Sequence, residues 1–351
     1  MAKKKDDKAE VAYPPEFAEL FEKIPAKDVD TAVAVCKKLI AGGPATIKKL
    51  IDLVGPEFGL ESGVKPKFAL HGVVVYAARP GAPAERKMVA ETLAAELAGG
   101  RSKEAKAFLC RQLQLCGRAE EVPALAKLLA DDRLCEPATQ AMLAIGGPEA
   151  AGAFRKALPS APGKRKVTIL KAAGRLADKP SAAVARKAAG DAERDVRLVA
   201  YYALGNMPDA EAVDLMVGAA GKTEGFEHQR AVAETLRLAR RLGETGDAAA
   251  AKAVRGIQAA AAKAKRPHEA AAALHDLAVT QGAQAVGEVM AAMSSDDLWV
   301  RNAAARTAVT LAGALRKAHA DEAKALLKKV TTATQEGAVV QQAELMLAGT
   351  I

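Results

Sequence analysis

The chain has 351 residues, of which half are apolar but only 3% aromatic, and it carries a formal net charge of +9. This length exceeds what one hydrophobic core usually serves, so it leaves either two domains or a repeat array that grows in one dimension. Alanine runs at 248–251, 259–262 and 270–273 have high helix propensity and little β-propensity. The composition therefore favours a helical repeat array over a sheet protein.

The sequence shows neither a membrane span nor a secretory signal. No stretch of 18 or more uncharged apolar residues occurs, and the N-terminal MAKKKDDKAE has no hydrophobic segment behind its lysines. We therefore expect a cytoplasmic protein. The positive net charge is typical of proteins with an acidic partner, which leaves nucleic acid, an acidic protein or anionic lipid open.

The four cysteines and the common catalytic motifs give little sign of chemistry. Cys36, Cys110, Cys116 and Cys135 show no CxxC spacing, so we expect buried free thiols rather than disulfides or a metal site. The sequence contains no GxxxxGK[ST] phosphate loop, GxGxxG after a strand, GxSxG elbow or HExxH pair. Their absence argues against nucleotide use and the common hydrolases, and we expect no cofactor.

In chain order, the sequence predicts three segments. Residues 1–15 form a charged tail that ends at Tyr13-Pro14-Pro15, which we expect to be disordered. Residues 16–100 hold two or three helical hairpins in a blurred register, with a break at Gly55-Pro56. Residues 101–351 hold the regular repeats.

One hairpin shows the repeat pattern clearly. Within 195–205 the apolar residues have the spacing of a one-faced helix, namely Val196, Val199, Ala200, Ala203 and Leu204. Gly205 is predicted to end this helix, and a second apolar helix follows after Pro208. The hairpin turn recurs at Cys116-Gly117, Ile145-Gly146, Leu176-Ala177, Leu204-Gly205 and Leu242-Gly243.

These turns recur about every 30 residues and later nearly every 40, a period that belongs to stacked helix pairs. Further hairpins fit 268–293 and 298–330, and 337–348 fits a C-terminal capping helix. The predicted fold class is therefore all-α, an α-solenoid of stacked helical hairpins.

The segments DAERDVRLVAYYALGNMPDAEAVDLMVGAA (191–220) and SSDDLWVRNAAARTAVTLAG (294–313) resemble HEAT repeats, in which acidic residues precede a Val-Arg pair and a small-residue helix. The spacing differs between the two segments. Asp195 directly precedes Val196-Arg197, whereas Asp297 is separated from Val300-Arg301 by two residues. The segment CRQLQLCGRAEEVPALAKLLADD (110–132) is similar to bacterial HEAT-repeat-containing proteins of unassigned function. The resemblance covers about two thirds of the chain and implies a HEAT-like or armadillo-type superhelix.

Histidines beside carboxylates offer a remote possibility of a metal site. The candidate ligands are His228, His268, Glu269 and His275. The phrase HEAAAAL (268–274) resembles part of the His-Glu motifs of deoxyhypusine hydroxylases, whose pairs ligate a di-iron centre. That family carries four such pairs, and here only one has the right order. Solvated or capping histidines are the simpler interpretation.

The strongest charge pattern lies in 228–267, where two helices each carry basic residues on one face. The first face contains Arg230, Arg237, Arg240 and Arg241, and the second contains Lys252, Arg255, Lys263 and Arg266. Together they could grip phosphates or an acidic helix. The alternative is a solvated outer face whose long side chains cover apolar neighbours.

Trp299 is the only tryptophan. Its Trp-x-Arg phrase resembles one in the HEAT-like alkylpurine DNA glycosylases, but the several aromatic side chains that such a base pocket needs are missing. Trp299 is then either an anchor of the last repeats or an exposed binding hot spot. We expect a non-enzymatic scaffold that binds a protein partner. The alternatives are a nucleic-acid binder that uses the basic hairpin and, more remotely, a hydroxylase-like or glycosylase-like enzyme.

Overall fold

The computed structural model describes residues 13–54 and 64–350, and within these ranges the regular secondary structure is helical, without a β-strand. The predicted all-α class is confirmed. In the same ranges, no helix combines the length and the apolar character that a membrane crossing requires.

The α-helices are joined by turns and short 3-10 segments. In chain order they are α1 (Pro15–Glu22), α2 (Val29–Ala41), α3 (Gly43–Leu53), α4 (Val64–Ala77), α5 (Pro83–Ala95), α6 (Lys103–Cys116), α7 (Val122–Ala126), α8 (Cys135–Ile145), α9 (Gly147–Ala157), α10 (Gly163–Arg175), α11 (Ala182–Ala188), α12 (Arg194–Asn206), α13 (Val213–Lys222), α14 (Gly225–Glu244), α15 (Ala249–Lys263), α16 (Pro267–Gln281), α17 (Val286–Ala292), α18 (Leu298–Leu315), α19 (Ala320–Ala333) and α20 (Gly337–Leu347).

The chain divides into two compact units between Ala172 and Ala173. In the first unit, α2, α4, α6 and α8 pack one on the next, and α3, α5, α7 and α9 form a second row. In the second unit, α12, α14, α16, α18 and α20 pack in succession, while α13 packs on α15 and α17 packs on α19. Each unit therefore consists of helical hairpins that bury their faces mainly against the next hairpin. The division differs from the predicted change of register near residue 100, which stays a prediction.

The beginning of the predicted fold lies close to the start of α1. Residues 1–12 of the predicted disordered tail, and the predicted break at Gly55-Pro56, lie outside the described residues. Tyr13 belongs to the packed part of the chain, because its ring lies edge-on to Phe21 with the centroids 4.6 Å apart. Helix α1 then begins at Pro15, a favourable first position because proline lacks the N–H that would go unbonded there.

Four of the five residues of the apolar stripe predicted for α12, namely Val196, Ala200, Ala203 and Leu204, are buried, whereas Val199 is only half-buried. The prediction that Gly205 ends this helix is wrong, because α12 continues to Asn206. A Cβ atom at Gly205 would lie 2.5 Å from the Glu234 carboxylate. The glycine therefore permits the close approach of α12 to α14 rather than a turn.

The cysteines are core residues. Cys36, Cys110, Cys116 and Cys135 are free thiols within the described residues, and all four are buried. Burial raises the pKa of Cys110 and of Cys116 to about 12. The prediction of buried free thiols is confirmed for all four positions.

Candidate functional site

The predicted basic residues of α14 and α15 are paired with carboxylates. On α14, the Nε of Arg230 lies 3.2 Å from Glu234, and a terminal nitrogen of Arg237 lies 2.9 Å from the same carboxylate. The remaining pairs are Arg240–Asp276 at 3.0 Å, Arg241–Glu244 at 3.2 Å, Lys252–Asp214 at 2.7 Å, Arg255–Glu288 at 2.9 Å and Arg266–Glu269 at 3.8 Å. Lys263 is exposed. The positive charge of this hairpin is therefore largely compensated by neighbouring carboxylates.

The two predicted basic faces also turn toward different neighbours. Arg240 of α14 reaches Asp276 on α16, whereas Lys252 and Arg255 of α15 reach carboxylates on α13 and α17. The residues thus serve as links from each helix to the next in its own row. The structure does not bring them together as one gripping surface.

The candidate metal ligands do not form one cluster. His228 lies with Nδ1 2.8 Å from the Ala220 carbonyl and Nε2 2.6 Å from the Glu269 carboxylate, so both ring nitrogens are engaged. His268 and His275 are exposed. Over residues 13–54 and 64–350, no group of three His, Cys, Asp or Glu side chains is placed to hold a metal ion. The adjacent Glu227 turns away to Arg197 on α12.

Buried carboxylates form a ladder that sequence analysis missed. Glu227 and Glu234 lie seven positions apart on α14, and Glu269 and Asp276 lie seven positions apart on α16, so each pair shares a helix face. All four are buried. The repeated seven-residue spacing of acidic residues beside apolar positions was the available signal, because buried carboxylates require cationic partners.

The carboxylates of the ladder differ in electrostatics. Arg197 holds the pKa of Glu227 below its usual range, because its guanidinium donates to both carboxylate oxygens at 2.7 and 2.8 Å. Burial raises the pKa of Glu234 and of Asp276, and nearby arginines only partly offset that rise. Glu227 is therefore ionised at a lower pH than an ordinary glutamate, whereas Glu234 and Asp276 lose their protons only at a higher pH than usual.

A cleft of about 620 Å³ opens beside Glu227 and is bounded by α12, α13 and α14. Arg197 and Tyr201 line one side, and Lys222 lines another. Arg197 also donates to the carbonyls of Asp191 and Ala192, at 2.9 Å each. Its donors are thus directed to the fold, which makes Arg197 a structural link rather than a free binding group.

Trp299 lies at the edge of the second unit and is 70% exposed. Asp297 caps α18 by accepting from the backbone N–H groups of Trp299 and Val300, so the helix begins with the indole in solvent. Leu298 beside it is also exposed. Trp299 is therefore exposed and does not anchor the interior of the last repeats.

Another exposed aromatic residue, Phe226, lies at the start of α14. The starts of α12 and α14 are joined by Arg197–Glu227, and those of α14 and α16 by His228–Glu269, so these three helices run in the same direction. Helix α18 packs next in the same row. Phe226, Leu298 and Trp299 thus all lie at the starts of helices of this row, and we call these three residues the aromatic edge. Phe226 and Leu298 escaped sequence analysis because they stand outside any apolar stripe.

No protein-family model and no curated protein matches the chain. Similar solved structures include an engineered protein, 19% identical over 95% of this chain and 98% of that chain, with a TM-score of 0.43. Human deoxyhypusine hydroxylase is 19% identical over 87% and 96%, with a TM-score of 0.28. The CpcE–CpcF complex of phycocyanin lyase from Nostoc sp. PCC7120 is 17% identical over 74% and 99%, with a TM-score of 0.31. Sequence identities below 20% and TM-scores below 0.5 do not place the chain in a family.

Proposed function

We propose that this chain is a HEAT-like α-solenoid that acts as a non-enzymatic scaffold and binds a partner protein at the aromatic edge. Rows of hairpins that pack mainly on their neighbours support the solenoid assignment. The repeat-like segments 191–220 and 294–313 coincide with α12–α13 and with the start and body of α18. Rigid helix rows of this kind hold surface side chains in fixed positions, as a docking surface requires.

The observation that carries the proposal is the exposure of Trp299. Tryptophan is enriched at interface hot spots, and its side chain has roughly 200 Å² to bury. Because Trp299 is 70% exposed, covering its remaining area of roughly 140 Å² corresponds to a gain of about 3.5 kcal/mol at roughly 25 cal/mol per Å². Leu298 would add to that gain.

The charge distribution favours a protein partner over nucleic acid. Apart from Lys263, the basic residues predicted on the α14–α15 hairpin lie within 3.8 Å of a carboxylate. Nucleic-acid affinity depends on cations that are free to replace counterions on phosphates. Because neighbouring carboxylates offset most of these cations, little positive charge on this hairpin is left for a run of phosphates.

A capture experiment with matched variants tests the proposal. The full chain, its Trp299→Ala variant and its Val279→Ala variant serve as immobilised baits under nuclease treatment. Val279 is the control because it is also exposed, at 57%, but lies on α16 away from the aromatic edge. We expect a protein retained by the wild type and by Val279→Ala to be lost with Trp299→Ala. Equal retention by both variants would contradict the proposal, and loss of all captured material after nuclease treatment would favour nucleic acid.

A further inference from the structure

The geometry points to a carboxylate-binding site made by Arg230 and Arg237 of α14 on the ring of Tyr202 from α12. Its ligand is the side-chain carboxylate of an acidic peptide segment in a protein partner. The inference rests on the proposed function for the kind of partner, but it concerns residues away from the aromatic edge.

Two guanidinium groups converge on one aromatic platform. The guanidinium carbon of Arg230 lies 5.5 Å from the centre of the Tyr202 ring, and that of Arg237 lies 5.8 Å from it. Cations over an aromatic face at this range are attracted by the ring. Both arginines are therefore held beside Tyr202 without using their N–H groups.

Glu234 lies beneath the two arginines and tethers them. Its side chain is fully buried, and its oxygens lie 3.2 Å from Arg230 and 2.9 Å from Arg237. Neither oxygen receives a hydrogen bond from the described residues. Because the nitrogens lie within hydrogen-bonding distance and yet form no hydrogen bond, the arginine N–H groups do not point at the Glu234 oxygens. The carboxylate therefore fixes the positions of the arginines by charge and leaves their N–H groups free to point elsewhere.

Both arginine side chains are partly exposed to solvent. Each arginine side chain is 37% exposed, and each guanidinium carries five N–H groups in a rigid fork. Such forks match the two oxygens of a carboxylate. The two partly exposed guanidinium groups thus offer unused N–H donors for hydrogen bonds to an incoming anion.

The platform is firmly set in the fold. A Cβ atom at Gly174 would lie 2.8 Å from the Cα atom of Ala203 and 3.3 Å from a Tyr202 ring carbon, so this glycine lets α12 and the Tyr202 ring pack closely on α10. Gly205 likewise admits Glu234 against α12. Both groups that position the arginines are therefore packed closely against neighbouring helices. This preorganisation lowers the cost of ordering the arginines when a ligand binds.

The local charge suits a monoanion. Arg230, Arg237 and Glu234 together carry one positive charge when all three are ionised, and the neighbouring Arg240 is neutralised by Asp276 at 3.0 Å. A carboxylate balances this charge, whereas a phosphate monoester near −2 would leave an excess negative charge. When Glu234 is ionised, charge complementarity therefore favours an aspartate or glutamate side chain over a phosphorylated residue.

Fluorescence anisotropy of three labelled, capped peptides tests the inference. One peptide contains glutamates, the second has glutamine at the same positions, and the third has phosphoserine there. The proteins are the full-length wild type and its Arg237→Gln, Arg237→Lys and Arg241→Gln variants. Arg241→Gln is the matched control, because it removes one positive charge from the same helix at a 48% exposed side chain outside the site.

We expect the glutamate peptide to bind at least about tenfold more tightly than the glutamine peptide, and at least as tightly as the phosphoserine peptide. Arg237→Gln should weaken glutamate binding about tenfold, and Arg241→Gln less than about twofold. Arg237→Lys keeps the charge beside Glu234 and hence the fold, yet should lose most of the affinity because lysine lacks the fork.

Equal losses in Arg237→Gln and Arg241→Gln would overturn the inference in favour of a diffuse field. Wild-type affinity in Arg237→Lys, or tighter binding of the phosphoserine peptide, would overturn it as well. The Trp299→Ala variant should bind the glutamate peptide as the wild type does. The two proposals can therefore fail separately, since peptide binding does not involve the aromatic edge.

Discussion

Replacing Arg197 with alanine removes the link between α12 and the first carboxylate of the buried ladder. Arg197 donates to both oxygens of Glu227 at 2.7 and 2.8 Å. After the substitution, Glu227 would keep only the Tyr201 hydroxyl at 3.4 Å and Arg194 at 3.8 Å. An ionised carboxylate would then remain in a site where its side chain is 10% exposed.

The expected loss of stability follows from the low exposure of the Glu227 side chain. Removing one partner of a buried ion pair typically costs 3–5 kcal/mol, because the other charge is left without compensation. Since the Arg197 side chain is 26% exposed, water can enter part of the vacated space. We therefore expect a loss of about 2–3 kcal/mol in the free energy of unfolding at pH 7. The carbonyls of Asp191 and Ala192 add little, because they can return to water.

The effect should depend on pH in a defined direction. Arg197 lowers the pKa of Glu227, so its stabilising contribution is complete above the unfolded-state pKa, roughly 4.3, and is lost as the pH falls through the lower folded-state value. The difference between wild type and Arg197→Ala should therefore shrink as the pH is lowered from about 5 to 3.

Urea denaturation of the full chain, followed by circular dichroism across this pH range, measures the difference. Arg194→Ala is the matched control, because Arg194 is 54% exposed and 3.8 Å from the same carboxylate. It should cost less than about 1 kcal/mol. Equal losses for the two variants, or a difference that does not change with pH, would refute the assignment of Arg197 as the residue that holds Glu227.

Three further predictions concern packing and thiol chemistry. Gly205→Ala should destabilise the chain by about 2–4 kcal/mol, because its Cβ would lie 2.9 Å from a backbone oxygen of α14. Gly218→Ala meets nothing within 4 Å, so it should stabilise α13 by about 0.5–1 kcal/mol; thermal melts that rank the two variants the other way would contradict both expectations. Ala203→Asp should lower the melting temperature more than any of these variants, since it places a charge at a fully buried position. Cys110, whose pKa is about 12, should react with a thiol reagent at pH 8 only after unfolding, and mass spectrometry of the labelled peptide would reveal earlier reaction.

Local sequence signals were sufficient for the helices and many of their ends. The turns predicted at Cys116-Gly117 and Ile145-Gly146 coincide with the ends of α6 and α8. Gly146 has a φ of 69°, so the glycine at this helix end has a local conformational cause. The prediction failed at Gly205 because the reason for a glycine there is not local. This glycine makes room for a side chain from another helix. A glycine alone does not distinguish these two roles.

The candidate sites show the same contrast between local and long-range causes. Trp299 was identified because it is the only tryptophan in the sequence and its Trp-x-Arg phrase resembles one in a known protein family. The pairing of Arg197 with Glu227 spans 30 positions, and that of His228 with Glu269 spans 41. Such partners depend on how successive hairpins stack. Side chains that helical periodicity assigns to polar faces, such as Glu234, are therefore buried once the neighbouring helix is in place.

If a partner protein covers the aromatic edge, Trp299 reports on it directly, because the chain contains only one tryptophan. The decisive measurement is acrylamide quenching of its fluorescence in the free chain and at saturation with a captured partner that is free of tryptophan or has had its own replaced. We expect strong quenching in the free chain, where the indole is 70% exposed, and a clear fall in quenching with a blue-shifted emission in the complex. Unchanged quenching and emission at saturation would contradict binding at the aromatic edge.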